Sequence, residues 1–266
     1  MKIAIITPSR LKRSTLVGKS DLYFLEHAVA SAAAQELIDK QLTIHFFVGI
    51  DADTVIPARL ADHPQLTFVR SDCKAQVPAL NAAIRAVDAS WDLVGFLEDD
   101  DRWLPQYLAV AIRALEGFDF VSSTQLEVNE ADEPVRINDF PAPSGWLMRR
   151  STFEKVGAIN PASKWHYDNE WLGRLAETGL RRAHLVEATA PWTMDDAFQV
   201  RPWLANVLRF GGPNIHLVRH GFVLPLVYRL VHPGSGTSHV GGGGTAKTES
   251  NAEYQWLVDR FGRIPW

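Results

Sequence analysis

Four consecutive carboxylates, Glu98, Asp99, Asp100 and Asp101, interrupt the stretch VGFLEDDDRWLP at Val94–Pro105. A short apolar run reads as a buried strand, and the acids stand at its C-terminal end. In open α/β sheets ligands bind outside that end. Adjacent acids repel one another, so a partly buried cluster needs a compensating charge. Mn²⁺ or Mg²⁺ would supply it, since hard cations favour oxygen ligands, and a bound ion can in turn hold a diphosphate. The competing reading is an acidic surface turn capping a helix that begins near Pro105. The apolar strand before the acids and Trp103-Leu104-Pro105 after them favour the site.

Other carboxylates offer further chemistry. Asp51-Ala52-Asp53-Thr54-Val55 follows a second apolar run. It matches the D-x-D-x-[TV] pattern of haloacid-dehalogenase-type phosphatases, in which the first Asp attacks phosphate. That pattern normally lies on the first strand, and here it follows the second. The same turn suits a nucleotide site, where a carboxylate accepts from a base N–H, and a plain loop is the third reading. Asp168 and Glu170 open a helix beside Trp165, His166, Tyr167 and Trp171. Rings pack on the C–H face of a sugar while carboxylates accept from its hydroxyls, and a carboxylate there could deprotonate an attacking hydroxyl. An acid at a helix start is otherwise a cap. His232 and His239 are candidate extra ligands for a metal or a phosphate.

The bulk numbers exclude several classes. The 266 residues, 46% of them hydrophobic, suit one large α/β domain or a domain with an appendage. A net charge of −4 gives no strong nucleic-acid signal. One cysteine, Cys73, rules out an intrachain disulfide and a Cys-based zinc site. No run approaches the roughly 20 apolar residues of a membrane span; the best, Phe222–Val231, contains Pro225 and Arg229. The start MKIAIITPSR reads as a strand, not a signal peptide, because Pro8 breaks its short apolar run. The expectation is a cytoplasmic protein, with peripheral membrane contact left open by nine tryptophans.

Apolar periodicity supplies the elements that must hold these groups. Strands are expected at Ile3–Thr7, Leu42–Ile50, Leu66–Val69, Leu93–Leu97, Phe118–Ser123, Gln125–Val128 and Leu180–Ala188. Helices are expected at Asp21–Asp39 with Asp21 as N-cap, Val77–Val87, Pro105–Leu115, Asp168–Glu177, about 198–210, and Asn251–Phe261. A capping box at Ser151–Glu154 should start another short helix, ended by Gly157. Alternating strands and helices indicate a mainly parallel sheet. Neither G-x-G-x-x-G nor G-x-x-x-x-G-K-[ST] is present. Residues 233–250 are Gly-rich and cannot build a core, so they form a linker or a lid that orders on ligand.

Taken in order, these pieces resemble the inverting glycosyltransferases of family 2, over roughly Ile3–Leu180. IAIITPSR is similar to the family's first strand with its Pro-containing basic turn, VGIDADT to its base-contacting turn, and PALNAAIRA to a segment before the metal strand. FLEDDDRW is similar to its "fLDxDDxw", with Glu98 standing where an Asp is usual, and YDNEWLGRLAETG to its "eDwdlwlRlaeaG". The resemblance implies a GT-A fold: an α/β, Rossmann-like mixed, mainly parallel sheet flanked by helices, with a C-terminal extension. A catalytic domain would span 1–190, with a nucleotide-binding half at 1–104 and an acceptor half at 105–190. An extension at 191–266 would follow.

It further implies a metal-dependent transfer of one sugar, with inversion, from a nucleotide diphosphate donor, UDP-sugar favoured, to an acceptor hydroxyl of unknown class. Asp168 would be the general base, with Glu170 as second choice. Pro8, Arg10, Asp51, Lys74, Asn81 and Asp99 would bind the nucleotide. Glu98, Asp100 and, from YRLVHPGSGTS, His232 would hold Mn²⁺ or Mg²⁺, with His239 as an extra ligand. Asp101, Trp103, Trp146, Trp165 and Tyr167 would contact the sugars. The Gln/Arg-x-x-Arg-Trp signature of processive synthases is absent. Two alternatives stand beside this reading: a metal-dependent phosphatase using Asp51 and Asp53, and a non-catalytic nucleotide-sugar or glycan-binding module.

Overall fold

Strand β1 (Lys2–Pro8) runs through the middle of the molecule, and Ile3 to Thr7 are all buried. A strand apolar on both faces needs a layer on each side. Ile3 and Ile5 face one layer, packing with Leu25, Ala28, Val29 and Ala32 of helix α1 (Phe24–Ala33) and Tyr107, Leu108 and Ala111 of α4 (Tyr107–Ala114). Ala4 and Ile6 face the other, with Val77, Leu80, Ala83 and Ile84 of α3 (Gln76–Ala86) and Trp171, Leu172 and Leu175 of α6 (Tyr167–Glu177). The computed structural model describes residues 1–36, 42–191, 193, 195, 199–210, 214–235 and 242–265, and the strands and helices are those of these residues.

The strands are β2 (Thr43–Ile50), β3 (Leu66–Arg70), β4 (Leu93–Phe96), β5 (Arg102–Trp103), β6 (Phe120–Ser123), β7 (Gln125–Val128), β8 (Pro134–Asn138), β9 (Trp146–Arg149), β10 (Arg182–Val186), β11 (Ile215–Arg219) and β12 (Val227–Leu230). The main sheet has eight strands in the order β11-β10-β6-β9-β4-β1-β2-β3. All its pairs are parallel except those made by β9, which runs antiparallel between β4 and β6. A second sheet, β5-β12-β7-β8, stands beside it. This is the mixed, mainly parallel sheet flanked by helices that the sequence leads one to expect.

Several expectations shift. Helix α1 begins at Phe24, and Glu26 Oε2 accepts from the Tyr23 N–H at 2.7 Å, so Asp21 is not its cap. The helix ends at Ala33, short of the expected Asp39, and residues 37–39 lie outside the described residues. Helix α5 (Arg150–Val156) starts before Ser151, with no side-chain cap; Glu154 pairs with Arg150 at 2.8 Å instead of closing a capping box. Gly157 ends it with φ +85°, as a C-terminal glycine should. The edge strand β8 and the antiparallel β9 were not expected, nor was the one-turn helix α2 (Ala58–Ala61). Helix α7 (Pro202–Phe210) and helix α8 (Gly244–Phe261) follow among the described residues; α8 starts at Gly244, not at the expected Asn251, so the last part of the stretch expected as a linker or lid is helical and Ser250 in it is buried. The boundary expected at 190 falls between β10 and β11, which are parallel neighbours in one sheet. No described helix is long and apolar enough to cross a membrane.

Gly49 shows how tightly α3 sits on β2. A Cβ there would lie 1.9 Å from the Ala79 carbonyl oxygen, so only glycine allows this approach.

Candidate active site

The C-terminal ends of β1, β2 and β4 open on the same side, as parallel neighbours must. The turn after β1 is bonded to its neighbours. Ser9 N–H donates to the Gly49 carbonyl at 2.8 Å, and Ser9 Oγ donates to Asp99 Oδ2 at 2.5 Å. Thr7 Oγ1 donates to the Leu97 carbonyl at 2.7 Å. Pro8 and the exposed Arg10 flank this point. Asp51 closes β2, half-buried, and its turn is held by Arg70, which donates to the carbonyls of Ala52 at 2.8 Å and Thr54 at 3.0 Å.

The four acids behave differently from one another. Glu98 Oε1 accepts from Tyr167 Oη at 3.1 Å and from Gln76 Nε2 at 2.7 Å. Asp100 Oδ2 lies 3.0 Å from His232 Nε2. Asp101 is only 2% exposed, and both its oxygens are engaged: Oδ2 accepts from Ser144 Oγ at 2.5 Å and Oδ1 from the Leu230 N–H at 3.1 Å. Asp101 is therefore an anchor that ties β12 to the acidic turn, rather than a group presented to a sugar.

Burial and the Asp100 charge push Glu98 up to about 7 and Asp99 up to about 7. The same two causes hold Asp101 well above the usual carboxylate range. A site that raises its own acids in this way lacks positive charge. Arg229 supplies part of it. It donates to Glu127 Oε1 at 3.1 Å and is drawn electrostatically to Asp101, Glu98 and Asp100. Glu98, Asp100 and Asp101 each offer an oxygen, all within 4.8 Å of one another. Hard carboxylate oxygens with a charge deficit fit Mn²⁺ or Mg²⁺. Because Asp101 is buried and each of its oxygens already accepts a hydrogen bond, Glu98 and Asp100 are the readier ligands, with His232 alongside. His232 is buried, its ring 5.3 Å from that of Phe24, and Asp100 raises its pKa.

Asp168 stands in the first turn of α6, partly exposed, with Oδ1 accepting from its neighbour Asn169 N–H at 2.8 Å. Burial raises its pKa. It is near enough to Glu98 and Tyr167 for its charge to act on both. Helix α6 thus brings a carboxylate with raised basicity to the edge of the acidic cluster.

Other expected site residues go elsewhere. Glu170 is buried and held by Arg174 through two hydrogen bonds, at 2.8 and 3.0 Å, so it is no second candidate base. Asn81 is also buried. Its amide bonds the Ile159 carbonyl at 2.8 Å and the Ile159 N–H at 3.0 Å, which fixes a loop and leaves no face for a nucleotide. Trp103 donates to the Ser144 carbonyl at 2.6 Å and Trp146 to that of Pro141 at 2.6 Å; both rings are core. Trp146 stacks on Trp171 at 4.9 Å. Lys74 is exposed and pairs with Asp53 at 2.5 Å. Trp165 donates to Glu249 Oε2 at 3.1 Å, with the Lys164 ammonium 4.8 Å above its ring. Tyr167 is buried with only its hydroxyl turned to Glu98. His239 and the centre of the Gly-rich segment lie outside the described residues.

Arg229 and Tyr167 as a partner of Glu98 carry weight that the linear pattern did not assign. The signal for Arg229 was faint: one cation in an otherwise apolar run three residues before His232.

No protein-family model and no curated protein matches this chain. Among solved structures, the fold is similar to that of TarS from S. aureus. TarS 1-349 in complex with UDP superposes with a TM-score of 0.53 at 12% identity, covering 97% of this chain and 70% of that one. TarS 1-349 in complex with UDP-GlcNAc gives 0.56 at 11% identity, with 97% and 66% covered. A longer TarS chain gives 0.54 at 12%, with 97% and 42% covered. At such identities the likeness is one of fold, and that fold is the GT-A arrangement of sheet and helices.

Proposed function

We propose that this chain is a metal-dependent, inverting glycosyltransferase that moves one sugar from a nucleotide diphosphate donor to a hydroxyl acceptor. The observation that carries the reading is the convergence of Asp168 with the Glu98–Asp100–His232 group at the C-terminal edge of a GT-A sheet. Solved relatives in fold bind UDP and UDP-GlcNAc, which favours a UDP-sugar as donor here.

Asp51 would accept from the base N–H at the end of β2, and Ser9, Asp99 and Arg10 would border the ribose and phosphates. Glu98 and Asp100 would hold Mn²⁺ or Mg²⁺, joined by His232 once its Nε2 carries no proton. A bound cation would neutralise charge developing on the leaving diphosphate. Asp168 would take the proton from the acceptor hydroxyl, which attacks the anomeric carbon from the face opposite the leaving group. Its raised pKa suits that task, since a base works best when its affinity for the proton approaches the working pH. The phosphatase alternative gains nothing from the geometry: Asp53 is exposed and tied to Lys74.

The test is a thermal-shift screen of nucleoside diphosphates and nucleotide sugars, with and without Mn²⁺. A ligand that binds the folded chain raises its melting temperature by mass action. If no nucleoside diphosphate does so with metal present, the reading fails. Asp168→Asn should abolish transfer while keeping the donor-dependent shift. A shift without transfer in the wild-type chain would point instead to a binding module.

A further inference from the structure

Helix α6 has no side-chain cap of its own. His166 occupies the N-cap position with φ −126° and ψ 36°, and no side-chain oxygen there accepts from the first turn. The backbone N–H groups around a helix start must find acceptors. The Asn169 N–H of the first turn is taken by Asp168 Oδ1, and the three N–H groups that lead into the helix find their acceptor on α8. Glu253 of α8 accepts three successive backbone N–H groups: Lys164 at 3.1 Å to each oxygen, Trp165 at 2.9 Å and His166 at 3.0 Å. Successive N–H groups pointing one way form an anion nest, and Glu253 fills it.

The contact continues on both sides. Glu249 accepts from Lys164 Nζ at 2.6 Å and from Trp165 Nε1 at 3.1 Å. His166 Nε2 lies 2.9 Å from the buried Ser250 Oγ. Further along, the Phe261 ring lies 2.6 to 2.8 Å from where a Cβ on Gly173 would stand, so α6 is bare at the point where α8 presses on it. Arg260 pairs with Glu177 at 2.6 Å, and Asn169 Nδ2 donates to the Pro265 carbonyl at 2.8 Å. Helix α8 thus grips α6 at its start, its middle and its end, and the tightest set of bonds lies two to four residues before Asp168.

We infer that Glu253 is a positioning residue for Asp168, acting through its bonds to the turn 164–166 and not through the packing of α8 as a whole. This rests on the reading of Asp168 as the base. Glu253 does not touch the reacting atoms. It fixes the turn 164–166, and that turn sets the direction from which Tyr167 and Asp168 enter the acidic site. A 1 Å displacement of a base from its acceptor is expensive in rate and cheap in stability.

The experiment compares three full-length variants with the wild-type chain: Glu253→Ala, Glu253→Gln and Leu257→Ala. Leu257 is fully buried on α8 but makes none of the nest bonds. Two measurements are made: steady-state release of UDP from a UDP-sugar with Mn²⁺, and amide hydrogen exchange over 164–168. Glu253→Ala should lower kcat by about tenfold or more, leave the donor KM unchanged, and speed exchange at 164–168. Glu253→Gln retains one acceptor oxygen and should recover part of the kcat. Leu257→Ala should lower the melting temperature while keeping kcat. The proposal is overturned if Glu253→Ala keeps its kcat, or if Leu257→Ala loses kcat as fully as Glu253→Ala does. If the wild-type chain releases UDP no faster than Asp168→Asn, the reading of the base itself has failed, and the hydrogen-exchange result stands apart from that failure.

Discussion

Without a cation at the acidic cluster, the stability of this protein should depend on pH in a direction opposite to that of most acid-rich proteins. Glu98 and Asp99 are pushed up to about 7 in the fold, by burial first and by Asp100 second, from ordinary values of 4.5 and 3.8. Between those limits the folded chain holds protons that the unfolded chain has released. Stability therefore falls as pH rises from about 4.5 to about 7. For Glu98 the rise from 4.5 to about 7 corresponds to about 3 kcal/mol. The Asp99 shift shares the same Asp100 field, so the two do not add. For a chain of this length about 3 kcal/mol corresponds to roughly 6–12 °C in melting temperature.

The assay is a melting series from pH 5 to pH 8, in a chelator and again in Mn²⁺. A cation binds the deprotonated carboxylates, so protons compete with it. Mn²⁺ should raise the melting temperature far more at pH 8 than at pH 5. His184 acts in the other direction: burial lowers it to about 4, so its contribution is lost as pH falls below 6.5. The difference between the metal and chelator series removes that background, because His184 is common to both. In chelator, Glu98→Gln should flatten the alkaline decline. A Mn²⁺ shift of equal size at both pH values, or a metal-free chain that gains stability between pH 7 and 8, would refute the account of the acidic cluster.

Other perturbations follow from the packing. Gly49→Ala drives a Cβ into the Ala79 carbonyl and should destabilise by about 3 kcal/mol or more; an unchanged melting temperature would contradict that approach. Arg201 donates to Asp139 through Nε at 2.9 and 2.8 Å and also pairs with the fully buried Glu187. Arg201→Met leaves both carboxylates without their cation and should cost about 3–5 kcal/mol, read by denaturant unfolding. Tyr167→Phe removes the donor to Glu98 Oε1 and should weaken Mn²⁺ binding by about tenfold with the fold kept; a Mn²⁺ titration of the melting temperature reads this directly.

What was legible in the linear chain was what depends on local pattern. Continuous apolar runs located β1, β2 and β4, because strands buried on both faces carry few polar residues. The end of β4 located the acids, and helical spacing put Asp168 at a helix start. Strand β9 was not legible. It is four residues long and its antiparallel place between β4 and β6 depends on partners about 50 and 25 residues away in sequence. The tryptophans misled for a related reason. Trp103, which follows the acids in sequence, looks like a sugar platform, but both it and Trp146 are drawn into the core, where backbone carbonyls satisfy their N–H groups.

The sequence by itself determined the fold class, the acidic turn and the carboxylate that opens α6, since each rests on periodicity or on neighbours in the chain. Only the tertiary structure decided which acids are accessible. Asp101 became an anchor because β12 returns alongside β5 and offers the Leu230 N–H. Glu170 was lost to Arg174 because the helix turns that pair inward. The same return of β12 brings Arg229 and His232 to the cluster, and α8 reaches back to hold the turn before Asp168. The charge balance of a site is a sum over groups close in space, and those that complete this one lie about 130 residues from the acids along the chain.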